Sequence, residues 1–592
     1  MEKWIEITKP GDYKSLSKEY GISPVILRIL RNRDYITKEE IDEYLSPSAS
    51  SLNDPFLLDG MEQVVSVLKR KIEEKKKIRI IGDYDVDGVA STYILYKGLS
   101  FFGGDCDYDI PHRIQDGYGV NDRLILDAKN AGADTIITCD NGIAASKQTE
   151  YAHSLGLTMI VTDHHEVPYE MKDGKKEYIL PDADALIDPH TPGSEYPFKG
   201  ICGAYVAFQT IMALSIDAGI SESKEFLNLR EELLEFAGLA TVCDVMELKK
   251  ENRFLVKEAS KLMAFSKNVG LSELIKATEM DGKTLTPYHF GFIIGPSINA
   301  AGRLDSAKKA MELFLETDLG RAKEKAAKLV ALNETRKDET AKETENALQK
   351  LEALDKIPSV IVSFLPDCHE SLAGIIAGKI KEHFNHPAFV VTKTEGGLKG
   401  SGRSIDAYDM FEGLSNPKVS RYLKKFGGHK LAAGISLDKE NLDGFINALN
   451  ETASLTEDDF CKVIKIDMAL PLNYASLELA RFIQALEPFG TGNEKPLFAV
   501  NSLTFIKGNR IGKNRNVGKY RVRDEHGRDY DIIYFGNLDA LESYISGIYD
   551  EKTANEFHSG KPIKVVLGVC YRIEVNVYNG TESVQLQMTN YR

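Results

Sequence analysis

The chain has few cysteines, and none of them pair up in sequence. Cys106, Cys139, Cys202, Cys243, Cys368, Cys461 and Cys570 are odd in number, widely scattered and without a C-x-x-C spacing. Neither a disulfide framework nor a thiolate zinc or redox site is expected from them. Positive charge is short as well: 74 Lys and Arg against 89 Asp and Glu leave a net charge of -15, which argues against coating nucleic acid by bulk charge. Any nucleic-acid surface must be local. No stretch of ~18 uncharged apolar residues is present, as a membrane span would need, and the opening MEKWIEITKP has no apolar signal core. A cytoplasmic protein is expected. At 592 residues, 43% hydrophobic and 28% charged, the chain is too long for a single core and should divide into three or four globular domains.

Aspartate, by contrast, is crowded in one place. IGDYDVDGVA (81–90) sets Asp83, Asp85 and Asp87 at alternate positions directly after an apolar run. Carboxylates so close repel, and burying them unpaired costs several kcal/mol. A divalent cation is the usual remedy, although an isolated D-x-D-x-D-G is as often a solvated turn. An EF-hand calcium loop would require Glu six residues beyond Gly88, where Ile94 stands.

Short apolar runs at 78–81, 108–110, 135–138, 158–162 and 185–187 alternate with helical stretches, which predicts a parallel sheet with helices on both faces. Each run is followed by polar residues: the three aspartates, then Pro111-His112-Arg113, Asp140-Asn141-Gly142, Asp163-His164-His165 and Asp188-Pro189-His190. Parallel strand ends share one edge, where open α/β folds bind ligands. Residues more than 80 apart in sequence therefore converge, and several acids at one edge call for a metal. His112 and His190, each beside a proline, are weaker members. Asp244, an acid inside the apolar stretch 238–246, needs a partner if buried; it could cap a helix, yet metal ligation fits its company better.

Residues 1–75 read as helical, with Thr37 as an N-cap, and 305–356 as a long exposed helix. From 358 a second α/β pattern carries the glycine-rich GGLKGSGRS (396–404) and FGGHKLAAG (426–434), read as loops in which Arg403 and His429 meet phosphates. From 456 alternating runs predict a small antiparallel barrel. There Lys507, Arg510, Lys513, Arg515, Lys519, Arg521 and Arg523 are basic with no acid among them, and with Tyr520 they suggest a groove for a single strand.

The order D-x-D-x-D-G, D-N-G, D-H-H and an apolar-helix Asp resembles the DHH phosphoesterase superfamily. PHRIQDGYG (111–119), YPFKGICGAYVAFQ (196–209), GPSINAAGRLDSA (295–307), GSGRS, GGHKLAAG and LEPFGTGNEKPLF (486–498) are similar to the RecJ family of single-strand-specific exonucleases. The resemblance runs nearly end to end. It implies an α/β two-lobed core joined by a long helix, with an appended OB-fold: a helical segment 1–75, a DHH domain 76–300, the connecting helix 301–356, a DHHA1-like lobe 357–455 and the barrel 456–592. It implies release of mononucleotides from the 5′ end of single-stranded DNA in repair and recombination, dependent on Mn²⁺ or Mg²⁺.

Carried over, Asp83, Asp85, Asp87, Asp140, His164 and Asp244 would be metal ligands or their neighbours, with Asp140 bridging two ions. Asp163 would orient His164, and His165 would face the scissile phosphate. Arg113, Arg303, Ser401, Arg403 and His429 would bind phosphates. Single-stranded-DNA-binding protein and a helicase are the implied partners of a monomer. Ser297 stands where the family often has Arg, Cys368 and Ser371 where Trp and Gly are usual, and Glu247 where Pro follows the acid. Two alternatives share these features. A phosphodiesterase for cyclic dinucleotides or short oligoribonucleotides would not need the basic barrel, and a silent replication scaffold would have eroded metal positions.

Overall fold

The computed structural model describes residues 2–592 as two compact units. One comprises residues 52–247 and 254–462; the other takes the chain up to Ser51, the segment Leu248–Arg253 and Val463–Arg592.

In the first unit five strands, β1 (Lys77–Ile81), β2 (Asp105–Asp109), β3 (Thr135–Cys139), β4 (Thr158–Thr162) and β5 (Ala185–Ile187), form the expected parallel sheet in the order β2-β1-β3-β4-β5. Their Ile, Val and Thr residues suit a sheet covered on both faces. The strand order reverses beside β1, so the ligand crevice of this topology lies at the carboxyl ends of β1 and its neighbours. One face is covered by helices α1 (Val86–Phe101), α2 (Gly203–Asp217) and α3 (Lys224–Cys243), the other by Asp122–Asn130 and Ser146–Ser154. Helix Met61–Glu73, which the sequence reading grouped with the N-terminal segment, packs Met61, Val64, Val65 and Leu68 into the core beneath this sheet.

Helix α4 (Gly295–Leu304) carries GPSINAAGR, and the long connecting helix is α5 (Leu319–Glu352), 34 residues. The second lobe is a five-stranded sheet in the order Lys425–His429, Ala432–Leu437, Gly397–Arg403, Ala388–Thr394, Ile361–Phe364, antiparallel except for its last pair. The glycine-rich segments read as loops are thus largely strands. Glycine here serves closeness rather than turning: a Cβ on Gly402 would lie 2.5 Å from Met410 Sδ and from the Phe389 ring.

In the other unit Thr37 caps its helix as expected, in a reciprocal box with Glu40. The C-terminal strands Phe498–Ile511, Val517–Arg523, Asp529–Tyr534, Thr581–Tyr591 and Ser559–Tyr578 pair in that order, and the last returns to the first. This closed five-stranded barrel differs from the expected all-antiparallel one, because Asp529–Tyr534 and Thr581–Tyr591 run parallel. The crossover that parallel pairing needs contains two helices, Leu538–Ile548 and Glu551–Phe557. Ile26, Leu27, Ile29 and Leu30 of the N-terminal helices share one core with the barrel's Phe498, Phe505 and Tyr571. Arg253, fully buried, stacks 3.8 Å over the Tyr44 ring and donates to the carbonyls of Tyr44 and Glu487.

Candidate metal centre and phosphate cleft

The turn after β1 is as tight as its glycines allow. Gly88 lies against the preceding backbone, where a Cβ would stand 2.4 Å from Asp83 N. Asp85 caps α1, its Oδ1 accepting from the backbone of Asp87 at 2.9 Å and of Gly88 at 3.2 Å. Asp83 Oδ1 accepts from Gly119 N at 3.3 Å. The Asp87 carboxylate is held by the first turn of α2, taking 2.7 Å bonds from the N–H groups of Gly203 and Ala204, a helix N-terminus that favours negative charge.

Asp140 follows β3 in the left-handed region at φ 60°, a conformation that short polar side chains tolerate best. Its Oδ1 lies 3.1 Å from His164 Nε2, which is also 3.4 Å from Asp87 Oδ2 and 3.7 Å from Asp244 Oδ2. Asp244 stands one residue beyond the end of α3, at its C-cap, rather than inside the helix as the sequence suggested. Ligand atoms of Asp83, Asp85 and Asp140 lie within 4.8 Å of one another, as do those of Asp87, His164 and Asp244. All six expected metal residues are therefore brought together, whereas His112 and His190 stay outside these groups.

Burial and the Asp85 charge push Asp83 well above the carboxylate range; burial with Asp87, Asp85 and Asp83 does the same to Asp140. Asp244 is raised to about 8 by burial and the Asp87 and Asp85 charges. Burial lowers His164, keeping its imidazole neutral and able to ligate. Such a cluster lacks positive charge. Its donors, carboxylate oxygens with one imidazole and no thiolate, fit Mn²⁺ or Mg²⁺.

Asp163 does not orient the side chain of His164, as expected, but that of His165. Asp163 Oδ1 lies 2.7 Å from His165 Nδ1 and also accepts from the His164 backbone N–H, while Oδ2 takes a 2.9 Å bond from Ile143 N. Burial opposes charge on His165, but the Asp163 hydrogen bond and charge outweigh it and raise the imidazolium to about 9. Two residues that the sequence motifs contain without an assigned role complete this edge. The Tyr118 hydroxyl donates to the Asp140 carbonyl at 2.8 Å and lies 3.2 Å from His165 Nε2. Asn141 donates to the carbonyls of Ile81 and Cys139, tying β1 to β3. A signal for Tyr118 existed: it stands between Gly117 and Gly119, both at positive φ.

Within the same unit a cleft of about 450 Å³ separates the metal edge from the second lobe, lined by Tyr84, Arg113, Ser371, Ser401, Lys425 and Gly427 among others. Arg113 lies 4.5 Å over the Tyr84 ring. Arg303, in the last turn of α4, donates to the Ser371 carbonyl at 2.8 Å, so the departure at 368–374 still engages this arginine. Arg403 is half-buried, donating to the Gly402 carbonyl and to Ser401 Oγ. Burial and the neighbouring charges of Arg113, Arg336 and Arg403 bring Arg303 down to about 9. An oxyanion would relieve the repulsion among these cations. His429 stands exposed at the end of its strand, outside this lining.

The barrel residues fare differently. Tyr520 cannot stack on a base: it is fully buried among Phe505 and Phe557, its hydroxyl 2.6 Å from His558 Nε2. The apparently unopposed basic run is also compensated by the next strand, with Arg521 paired to Asp531 at 3.0 Å and Arg523 to Asp529 at 2.7 Å, while Lys519 lies 3.9 Å from Asp531. Arg510 pairs with Asp539 at 2.6 Å and Glu542 at 2.9 Å, which leaves Lys507 on its strand and Lys513 and Arg515 on the turn between the first two barrel strands, all three exposed.

Family models match three segments: the DHH family N-terminal domain over residues 77–241, the DHHA1 domain over 358–455 and the RecJ OB domain over 466–590. The chain is 32% identical to the single-stranded-DNA-specific exonuclease RecJ of Bacillus subtilis (strain 168), covering 95% of this chain and 70% of that one. It is likewise 32% identical to RecJ of Escherichia coli (strain K12), covering 100% and 99%. The crystal structure of RecJ in complex with Mn²⁺ from Thermus thermophilus superposes with a TM-score of 0.80 at 25% identity, covering all of this chain and 79% of that one. A crystal structure of exonuclease RecJ bound to manganese gives 0.59 at 31% identity, covering 70% and 98%.

Proposed function

Because the chain belongs to the RecJ family, we propose that it removes nucleoside 5′-monophosphates stepwise from the 5′ end of single-stranded DNA, in repair and recombination. The observation that carries this reading is an all-oxygen and imidazole metal edge beside a cleft lined by Arg113, Lys399, Ser401 and Lys425, with Arg303 and Arg403 bonded to its lining residues Ser371 and Ser401.

Asp83, Asp85, Asp87, Asp140, His164 and Asp244 would hold two divalent ions. When bound, the ions supply Lewis-acid activation of water and neutralise charge at the scissile phosphate. The remaining work falls to the chain. Arg303, Arg403 and Ser401 hold the backbone of the strand, Arg113 meets it from the metal side, and exposed His429 extends that path. His165, kept protonated on Nδ1 by Asp163, presents Nε2 to a phosphate oxygen. Tyr118 fixes the Asp140 main chain. In the barrel, Lys507, Lys513 and Arg515 are left to attract the strand, with Lys519 and Arg521 shared between phosphate and Asp531.

The domain assignment belongs to the same proposal: 76–300 for chemistry, 357–455 for holding the strand, 456–592 for capture. So do a cytoplasmic location, a monomeric state and contacts with single-stranded-DNA-binding protein and a helicase. No helix among the described residues is long and apolar enough to cross a membrane.

The test is Mn²⁺-dependent digestion of a single-stranded DNA oligomer labelled at its 3′ end, beside its duplex, an RNA of the same sequence and a cyclic dinucleotide. The expected result is a shortening ladder from the DNA single strand, absent with Asp140→Asn. Hydrolysis of the cyclic dinucleotide or short RNA alone would transfer the chain to the other phosphodiesterases, and no cleavage of any substrate would make it a scaffold.

A further inference from the structure

The sheet of the second lobe turns one face to its core, with Leu398, Ile435 and Phe426, and by period-2 alternation the other to the cleft. The register sets the residues of that second face in three rows across three strands: Lys399–Ser436–Lys425, Ser401–Gly434–Gly427 and Arg403–Ala432–His429. Every residue of the first two rows lines the cleft. Successive rows stand about 7 Å apart, two residues along a strand.

The middle row is nearly bare, offering only backbone beyond the Ser401 hydroxyl. A Cβ on Gly427 or on Gly434 would meet nothing within 4 Å, and neither residue has a positive φ. Gly402 and Gly428 differ, since a Cβ there would stand 2.5 Å from the Phe389 ring and 2.3 Å from the Ala432 carbonyl oxygen. Neither packing nor backbone conformation therefore calls for glycine at 427 and 434, which face each other across paired strands. Glycine inside a strand weakens it and often marks the close approach of a ligand.

The rows on either side carry positive charge. Arg403 and His429 stand in one, Lys399 and Lys425 in the other. Lys399 is shared with Glu370 at 3.0 Å. Lys425 is exposed and has no carboxylate partner among the described residues, whereas Lys424 beside it is taken by Asp438 at 2.6 Å. Two cationic rows separated by a strip without side chains match a phosphodiester chain, in which charged phosphates alternate with uncharged sugars.

We infer that this face seats two successive phosphates of one strand, the first on Arg403 and His429 and the second on Lys399 and Lys425, with the sugar between them lying directly on the Gly434 and Gly427 backbone. The inference deepens the strand-degrading reading above and rests on it. Contacts to phosphate and sugar carry no base information, so the seat takes any sequence.

The experiment follows binding of a single-stranded DNA oligomer to the metal-free full chain by fluorescence anisotropy across a salt series, beside kcat and KM of the Mn²⁺-loaded chain and the melting temperature of each variant. Gly434→Val places a good strand former where the protein leaves room, so the melting temperature should hold or rise. Its Kd and KM should rise by about tenfold or more, the usual result of forcing methyl groups into a close contact, and Gly434→Ala should do the same to a smaller degree. Lys425→Gln should flatten the log–log salt dependence of Kd by about 0.7, the share of one phosphate contact on a single strand, and Lys425→Arg should keep it. Wild-type Kd and KM in both glycine variants overturn the sugar seat, and so does a melting temperature that falls together with affinity in both, since that is a packing role. An unchanged slope in Lys425→Gln overturns the second phosphate. A wild-type chain that binds the oligomer with these variant effects but leaves it undegraded overturns the strand-degrading reading while the seat stands, which is a different failure.

Discussion

Gly203 and Asp140 approach so closely that no side chain fits between them: a Cβ on Gly203 would lie 2.7 Å from Asp140 Cβ and 2.9 Å from its Cα. The same glycine donates its N–H to Asp87, so one residue without a side chain sets two acids of the proposed metal edge. Gly203→Ala should push Asp140 off His164 and weaken Mn²⁺ affinity about 10–100-fold, the range for losing a support of metal ligands. Calorimetric titration of Mn²⁺ into the folded variant checks it, and wild-type affinity would show that Asp140 is free to shift.

The Asp163–His165 pair predicts a pH signature. The folded imidazolium titrates at about 9, above its ordinary 6.5, so its contribution to stability is complete below pH 6.5 and lost as pH rises toward 9. In Asp163→Asn the main partner that raises the value is gone, and burial is opposed only by the charges of Asp244 and Asp87, so the His165 resonance of the metal-free protein should titrate well below 9. An NMR titration of the ring protons decides, and an unmoved midpoint would show that Asp163 does not hold the proton.

Tyr520 offers a contrast between core and groove. Tyr520→Phe removes the partner of His558 Nε2 and should destabilise the protein by about 1–2 kcal/mol, with the affinity of the folded molecule for a DNA strand unchanged. A base-stacking residue would lose no stability on this change, while a phenylalanine ring would still stack and keep the affinity. Urea unfolding therefore separates the two.

Truncation tests the way the second unit is built. A fragment ending at 462 leaves Ile26, Leu27, Ile29, Leu30, Ile41 and Tyr44 without the barrel core they share, and should aggregate. A fragment of residues 52–462 lacks those helices too and should elute from a sizing column as a compact species. Equal behaviour of the two would mean that the N-terminal helices are stable alone.

Much of this was legible in sequence because the chemistry sits at strand ends. Five β-rich runs followed by Asp or His place Asp83, Asp140 and His164 together before any coordinate is known. What sequence could not give were distances inside the cluster: Asp163 and His164 are neighbours in the chain, yet the backbone turns so that the carboxylate meets the ring of the next residue, His165. Glycine-rich segments misled because glycine signals both turns and tight packing, and at Gly402 it is packing. The basic run misled because its acids, Asp529 and Asp531, lie on the next strand, and period-2 side chains meet partners across a sheet that no window along the chain contains. Tyr520 failed for the same reason, since alternation places it on the inner face between two outward basic residues.

The barrel unit draws on both ends of the chain, up to Ser51 and from Val463. Its N-terminal helices therefore leave the ribosome long before the strands that cover them. At ~5–20 residues per second, the apolar face of Ile26, Leu27, Ile29 and Leu30 waits on the order of 20–80 seconds for its partners. During synthesis that face is exposed, aggregation-prone apolar surface, and slowing translation within the intervening four hundred or so residues should lower the yield of this protein more than that of one whose units are contiguous.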